Sequence, residues 1–275
     1  QAGGFRSAIK RQYSPERPLV TITTIVRNRK ETLPQTIMTI LSQSYPNIEY
    51  IVVDGASTDG TLEVIKQFDD KIDLWISEPD HGTSDAANKS ISLASGDLLF
   101  WLSSDDWIEP DFIELAVKAI LSSGADFVFG NMTMYKDEKI FSAHKGEKDY
   151  AKALLSGNPR FNFPSMIIKR ACFQKLGLFD ETYRLTTDYE WTVRLHLAGG
   201  NGFYESRLTV HRRVGGAGDQ HPFRSLLERL KILRLYGLPT TKAVVISLPN
   251  LARRGVGHFV KLFLPDIIYK KLKRA

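Results

Sequence analysis

Three short apolar runs constrain this chain most: Val20-Thr21-Ile22-Thr23-Thr24-Ile25-Val26, Tyr50-Ile51-Val52-Val53 and Leu98-Leu99-Phe100-Trp101-Leu102. Each is short, rich in β-branched or aromatic residues and closed by polar turn formers, so each reads as a strand buried on both faces. Between the first two, Leu33, Ile37, Ile40 and Leu41 recur at helical spacing and predict an amphipathic helix over about 31–43. A second strand about 30 residues after the first fits a parallel βαβ unit with a right-handed crossover. Open sheets of this kind bind ligands at the carboxyl ends of their strands.

The alternation continues along the chain. A helix is expected near 61–68, a strand at Leu74-Trp75-Ile76, a helix from Asp85 to Ala94, and a helix starting at Pro110 and running to about Ser122. Phe127-Val128-Phe129 reads as a further strand, which makes the first ~130 residues a doubly wound α/β layer. Beyond it, Ser165–Ile168 predicts a strand, 170–176 and Asp188–Ala198 helices, and Thr209-Val210-His211 an edge strand. Leu226, Leu227, Leu230, Leu233 and Leu235 mark a helix that Gly237-Leu238-Pro239 ends. The expected organisation is a lead-in over 1–18, a catalytic unit over 19–220 with halves at about 19–130 and 131–220, and a basic helical extension over 221–275.

Charge separates that extension from the rest. The net charge is +6, yet residues 221–275 carry 12 Lys and Arg against only Glu228 and Asp266. Basic and apolar residues alternate through Phe259–Leu264 and Ile267–Arg274, which suits either an interfacial helix on anionic lipid or a helix packed on the domain. No aromatic and basic platform points to nucleic acid. No run reaches the ~18 apolar residues of a spanning helix, and the start lacks both Met and an apolar signal segment. The single cysteine, Cys172, cannot form an intramolecular disulfide. The expected location is cytoplasmic, with the tail offering peripheral attachment to the inner face of the membrane.

The third apolar run ends in Ser103-Ser104-Asp105-Asp106. Adjacent carboxylates at a strand end suit a hard divalent cation held with substrate phosphates, whereas an isolated Asp-Asp more often caps the next helix. Asp54, at the end of the second run, can accept hydrogen bonds from a ribose or base, or organise its own turn with Ser57 and Thr58. The first run ends in Arg27-Asn28-Arg29-Lys30 without glycine, so neither a dinucleotide fingerprint nor the glycine-rich loop of a nucleotidyltransferase is present.

Val20–Asn28, Val52–Thr61, Glu78-Pro79-Asp80-His81-Gly82, Asp85-Ala86-Ala87-Asn88-Lys89, Ala94-Ser95-Gly96-Asp97 and Leu102–Trp107 occur in an order that resembles the family 2 glycosyltransferases over about residues 18–215. The resemblance implies an inverting enzyme with a GT-A fold, a mostly parallel mixed sheet flanked by helices. It implies a nucleotide-sugar donor, with UDP expected, and a glycan or lipid-linked glycan acceptor. The implied nucleotide-binding residues are Ile25, Arg27, Asp54, Asn88, Lys89, Ser104 and Asp105, with Lys89 alternatively a surface cation. Ser104-Asp105-Asp106 corresponds to the family's DxD element. Asp106 would be the main ligand to Mn2+ or Mg2+, Asp105 would assist, and His211 is either a further metal contact or an ordinary strand residue. Ala87 stands where many relatives carry a nucleotide-contacting Arg. Asp188, in Thr186-Thr187-Asp188-Tyr189-Glu190-Trp191, falls where the catalytic base lies, with Glu190 ranked second. The rival outside enzymology is a catalytically silent sugar- or membrane-binding protein of the same fold.

Overall fold

A computed structural model describes residues 1–5, 14–155, 162–216, 220–241 and 244–245. The strands are β1 (Ala2–Gly3), β2 (Val20–Val26), β3 (Ile48–Asp54), β4 (Leu74–Ser77), β5 (Leu98–Trp101), β6 (Trp107–Ile108), β7 (Phe127–Lys136), β8 (Lys139–His144), β9 (Ile167–Lys169) and β10 (Gly202–Arg213). The helices are α1 (Leu33–Leu41), α2 (Thr61–Gln67), α3 (Thr83–Leu93), α4 (Phe112–Ser123), α5 (Tyr150–Leu155), α6 (Arg170–Leu176), α7 (Thr187–Leu197) and α8 (Pro222–Leu235).

The strands form one sheet in the order β1-β4-β3-β2-β5-β9-β7-β10-β6, with β8 added to β7. Pairing is parallel between β3 and β4, β2 and β3, β2 and β5, and β7 and β10. Because β9 runs antiparallel to both β5 and β7, it restores the common direction across the join. The carboxyl ends of β2, β3, β5, β7 and β10 therefore share one edge of the sheet. The chain winds from β2 outward to β4, then returns to β5 on the other side of β2. That reversal opens a crevice at the ends of β2 and β5.

Both faces of the sheet are covered, which explains the continuous apolar runs. Leu33, Ile37 and Ile40 of α1, Ile65 of α2, and Phe112, Ile113 and Ala116 of α4 build one core with Ile22, Val52 and Phe100. The other core holds Ile91 of α3, Phe173 of α6, Trp191 of α7 and Ile232 of α8 against Leu99 and Phe127. The Phe173 and Trp191 rings stack there at 4.0 Å between centroids. Gly96 explains its own motif, because a Cβ there would lie 2.6 Å from the Thr21 amide nitrogen and 2.8 Å from the Leu19 carbonyl oxygen.

Three local expectations need correction. Thr209–His211 is not an edge strand: it belongs to the twelve-residue β10, which lies between β7 and β6. Its polar middle hid its length, and β6 lies about a hundred residues earlier in the chain. Pro110 does not begin a helix. A turn closed by the Phe112 amide on the Glu109 carbonyl (3.1 Å) comes first, and α4 starts at Phe112. Phe127–Phe129 is only the buried start of β7, whose outer half is held by β8 and β10. Among the described residues, no helix is long and apolar enough to cross a membrane.

Candidate active site

The donor side of the crevice is two loops tied together by backbone-directed hydrogen bonds. Ser57 Oγ accepts from the Asn28 amide at 2.8 Å, and Asn28 Oδ1 accepts from the Thr58 amide at 2.9 Å. Thr61 Oγ1 accepts from the Arg29 amide at 2.8 Å, and Asp59 Oδ2 accepts from the Lys30 amide at 3.2 Å. Arg27 stands exposed at the end of β2, with Ile25 half-buried behind it. A Cβ on Gly55 would meet the Asp80 carboxylate and lie 3.4 Å from Arg27 Cδ, so a larger residue there would have to push the Asp80 side chain aside.

Asp54 is fully buried at the end of β3. It accepts from the Ser57 hydroxyl and amide, and from the Ser77 hydroxyl at 2.6 Å. Its oxygens are turned inward to these serines, which matches the turn-organising alternative. Thr58, expected to share that task, bonds Asn28 instead.

The loop after β5 is held differently. Three successive carbonyls are gripped from two sides: Ser104 by Thr32 Oγ1 (2.9 Å), Asp105 by Arg213 Nη1 (3.1 Å) and Asp106 by Thr36 Oγ1 (2.8 Å). Thr32 and Thr36 lie one helical turn apart at the start of α1, which aims both hydroxyls at the same loop. Arg213 is fixed in turn by Gln35 at 2.8 Å and Glu138 at 3.2 Å, and its guanidinium lies 5.0 Å from the Trp107 ring centroid.

The main chain of this loop is satisfied, yet the Asp106 side chain is not. Asp106 is 1% exposed, and neither carboxylate oxygen accepts a well-formed hydrogen bond from any described residue. Its nearest cation is Arg212 Nε, 3.5 Å from Oδ2 and itself buried without a hydrogen-bond partner. Burial pushes the Asp106 carboxyl up to about 8, against the pull of Arg212 and with a further push from Asp105. Asp105 is half-buried beside it.

Asp188 opens α7 and accepts from the Tyr189 amide at 2.8 Å. Burial raises its carboxyl above the ordinary value, while the Tyr189 amide and the charges of Arg212 and Arg229 hold it down. Arg212 therefore acts on both Asp106 and Asp188. The start of α7 is steadied by Glu228 of α8, which accepts from the Leu185 amide at 2.9 Å and Thr186 Oγ1 at 3.1 Å. Helix α8 thus packs on the domain next to the site. The later tail segments, Phe259–Leu264 and Ile267–Arg274, lie outside the described residues. Glu190 faces away from Asp188, binding Arg194 at 3.0 Å and Tyr236 at 2.6 Å.

Other expected site residues are engaged elsewhere. Asn88 Oδ1 accepts from the Phe179 amide at 2.9 Å, and its Nδ2 donates to the Phe179 carbonyl and to Glu181, both at 3.0 Å. It latches α3 to the segment leading into α7. Lys89 pairs with Glu78 at 2.8 Å and bonds the Pro79 carbonyl at 3.0 Å, fixing the β4–α3 loop. Successive strand residues point to opposite faces, and the pairing of His211 with Trp107 puts it on the face opposite Asp106. There His211 stacks on Trp107 and bonds Glu109 at 3.1 Å. Arg212 and Arg229 carry positions the expected set lacked, and only the register of β10 and the packing of α8 bring them in.

Among the described residues, no three His, Cys, Asp or Glu side chains converge as a ready-made metal cage. Asp105 and Asp106 still fit a hard cation, because magnesium-type sites often use one or two carboxylates and complete their shell with water and phosphate oxygens. The unpartnered oxygens of Asp106 are the donors such an ion would use.

Residues 21–185 match the sequence profile "Glycosyl transferase family 2". An uncharacterized glycosyltransferase of Mycobacterium tuberculosis is 38% identical over 186 residues, covering 66% of this chain and 70% of that protein. The glycosyltransferase GlyA of Streptococcus pneumoniae is 35% identical over 48% of this chain, which spans only 20% of GlyA's length. In fold, the chain is similar to Staphylococcus aureus TarS 1–349 in complex with UDP-GlcNAc, with a TM-score of 0.68 and 16% identity over 90% of this chain and 76% of that one. It is also similar to the mannosyltransferase PcManGT of Pyrobaculum calidifontis, in complex with GDP-Man and Mn2+, with a TM-score of 0.61 and 18% identity over 94% and 84%. The mixed, mostly parallel sheet is thus of GT-A type. With the profile running from β2 through the Asp105-Asp106 loop to the lead-in of α7, the chain belongs to glycosyltransferase family 2.

Proposed function

We propose that the protein moves a sugar from a nucleotide-sugar, a UDP-sugar in the first instance, to a hydroxyl of a glycan or lipid-linked glycan, inverting the anomeric carbon. One observation carries the reading: a buried carboxylate whose oxygens lack well-formed hydrogen bonds among the described residues, Asp106, and a second carboxylate on a helix start, Asp188, both feel the charge of the half-buried Arg212. The UDP-GlcNAc and GDP-Man complexes of TarS and PcManGT, which share the fold, support a nucleotide-sugar donor.

The latched loops after β2 and β3 form a rigid floor for the nucleotide, with Arg27 at its rim. Asp105 and Asp106 would hold Mn2+ or Mg2+. Such an ion, when bound, offsets the charge that builds on the departing nucleoside diphosphate. Asp188 takes the proton from the acceptor hydroxyl. The hydroxyl oxygen then attacks the anomeric carbon from the face opposite the phosphate, and the sugar–phosphate bond breaks with its electron pair leaving on the diphosphate. The Tyr189 amide and the charges of Arg212 and Arg229 favour the ionised form of Asp188 against the push of burial.

The Asp188→Asn variant tests the base. Turnover should fall by about 10²–10⁴-fold, in the range attributed to general-base catalysis, with UDP binding nearly intact. A base must be deprotonated, so wild-type turnover should rise with pH through the Asp188 carboxyl, at a pH above the ordinary aspartate value, and then level off. Near wild-type turnover in the variant would remove Asp188 from this role.

A further inference from the structure

We infer that Arg212 is a resident counter-ion of the Asp105-Asp106 loop, occupying on Asp106 the position that a divalent cation takes when the donor binds. The inference rests on the reading of Asp106 as a cation ligand. Strand register sets up the competition. Val210 pairs with Ile108 and His211 with Trp107, so the next step of the antiparallel ladder brings Arg212 opposite Asp106 on the inner face. The guanidinium's nearest approach to that carboxylate is by Nε, at 3.5 Å, beyond good hydrogen-bond length. Its Nη1 rests 3.9 Å from the Met132 sulfur. The hold on Asp106 is thus Coulombic and releasable, unlike that of Arg213, which is fixed by Asp105, Gln35 and Glu138.

A divalent ion on the same carboxylate would sit within a few ångströms of this guanidinium. In a buried site such a like-charge approach is strongly unfavourable, so ion and guanidinium exclude one another on Asp106. Displacement costs Arg212 no hydrogen bond at Nε. It also frees a positive charge, already within range of Asp188, to meet the donor diphosphate. Arg212 thereby makes metal binding without nucleotide weak and favours the arrival of metal and diphosphate together.

Mn2+ titrated into the nucleotide-free full chain, with free ion followed by its paramagnetic resonance, tests the inference. Arg212→Gln should bind Mn2+ about tenfold more tightly than wild type, because the competing charge is gone. Arg212→Lys, which keeps that charge, should stay near wild type. In chelator, at a pH above the Asp106 carboxyl, Arg212→Gln should melt below wild type, since an ionised Asp106 is left buried without its cation, and Mn2+ should raise its melting temperature by more. Should Arg212→Gln not fold, Arg212→Met replaces it. Equal or weaker Mn2+ binding by the neutral variant overturns the counter-ion role. Asp106→Asn separates the two readings: if it binds Mn2+ as wild type does, Asp106 is not the ligand and the proposed metal site fails whatever Arg212 does.

Discussion

Asp54 and Asp106 stand at or just beyond the carboxyl ends of β3 and β5, the two parallel strands that flank β2, and both are almost wholly buried. Asp54 is surrounded by donors from Ser57 and Ser77, whereas among the described residues Asp106 meets no well-formed donor, only the weaker pull of the Ser103 side chain and the Arg213 main chain beside a guanidinium at 3.5 Å. A buried carboxylate without hydrogen bonds is costly, and folds tolerate such a cost chiefly where a ligand later repays it. The contrast separates two residues that look equivalent on a sheet edge. One is closed into its own turn, and the other keeps oxygens that no described residue bonds well.

The largest test of that contrast falls on Asp106. Asp106→Asn should cut turnover by at least ~10²-fold, as loss of a metal-bridging carboxylate does. It should also stabilise the metal-free protein. The folded-state value of about 8 lies above that of an unfolded aspartate, so folding favours the protonated form. That contribution is present at acid pH and is lost as pH rises towards 8. The variant's advantage should therefore grow from pH 4 to pH 8, reaching roughly 5 °C in melting temperature. A variant that melts below wild type at pH 8 would mean Asp106 is already well satisfied.

Asp54→Asn should behave in the opposite way. It removes a charge-assisted acceptor from a closed network and should cost about 1–3 kcal/mol, seen as a lower melting temperature. UDP affinity per folded molecule should change little. A tenfold loss of UDP affinity at unchanged stability would show Asp54 facing the nucleotide after all, and the contrast would collapse.

The two carboxylates also mark how far sequence alone reaches. Strands β2, β3 and β5 are legible because sandwiching between two helical layers demands unbroken apolar runs. Asp54, Asp106 and Asp188 stand out as candidates in the sequence because they end a strand, follow one in a short loop and start a helix, respectively. Strand β8 is not, because Ile140 and Phe141 are exposed and its pattern follows no buried face. Arg229, and the place of Arg212 opposite Asp106, are hidden in the sequence for another reason. Their position depends on a β10–β6 register spanning about a hundred residues and on an α8 whose charge reads as a solvated tail. Asn88 shows the reverse error: a site-like motif position serves as a latch to Phe179.

The smallest effect is expected at His211, one residue from Arg212 and on the opposite face of β10. Its bonds to Tyr135 (3.3 Å) and Glu109, and its stacking on Trp107, all lie outside the crevice. His211→Asn loses that stacking and part of the bonding, at a cost of about 1 kcal/mol or less. Mn2+ affinity and turnover should stay within about threefold of wild type, because strand alternation keeps the imidazole away from Asp106. A tenfold loss of Mn2+ affinity would require a one-residue register slip in β10 that exchanges the faces of His211 and Arg212. The same slip would take the guanidinium off Asp106, so this mild variant tests the strand register on which both the site and its counter-ion depend.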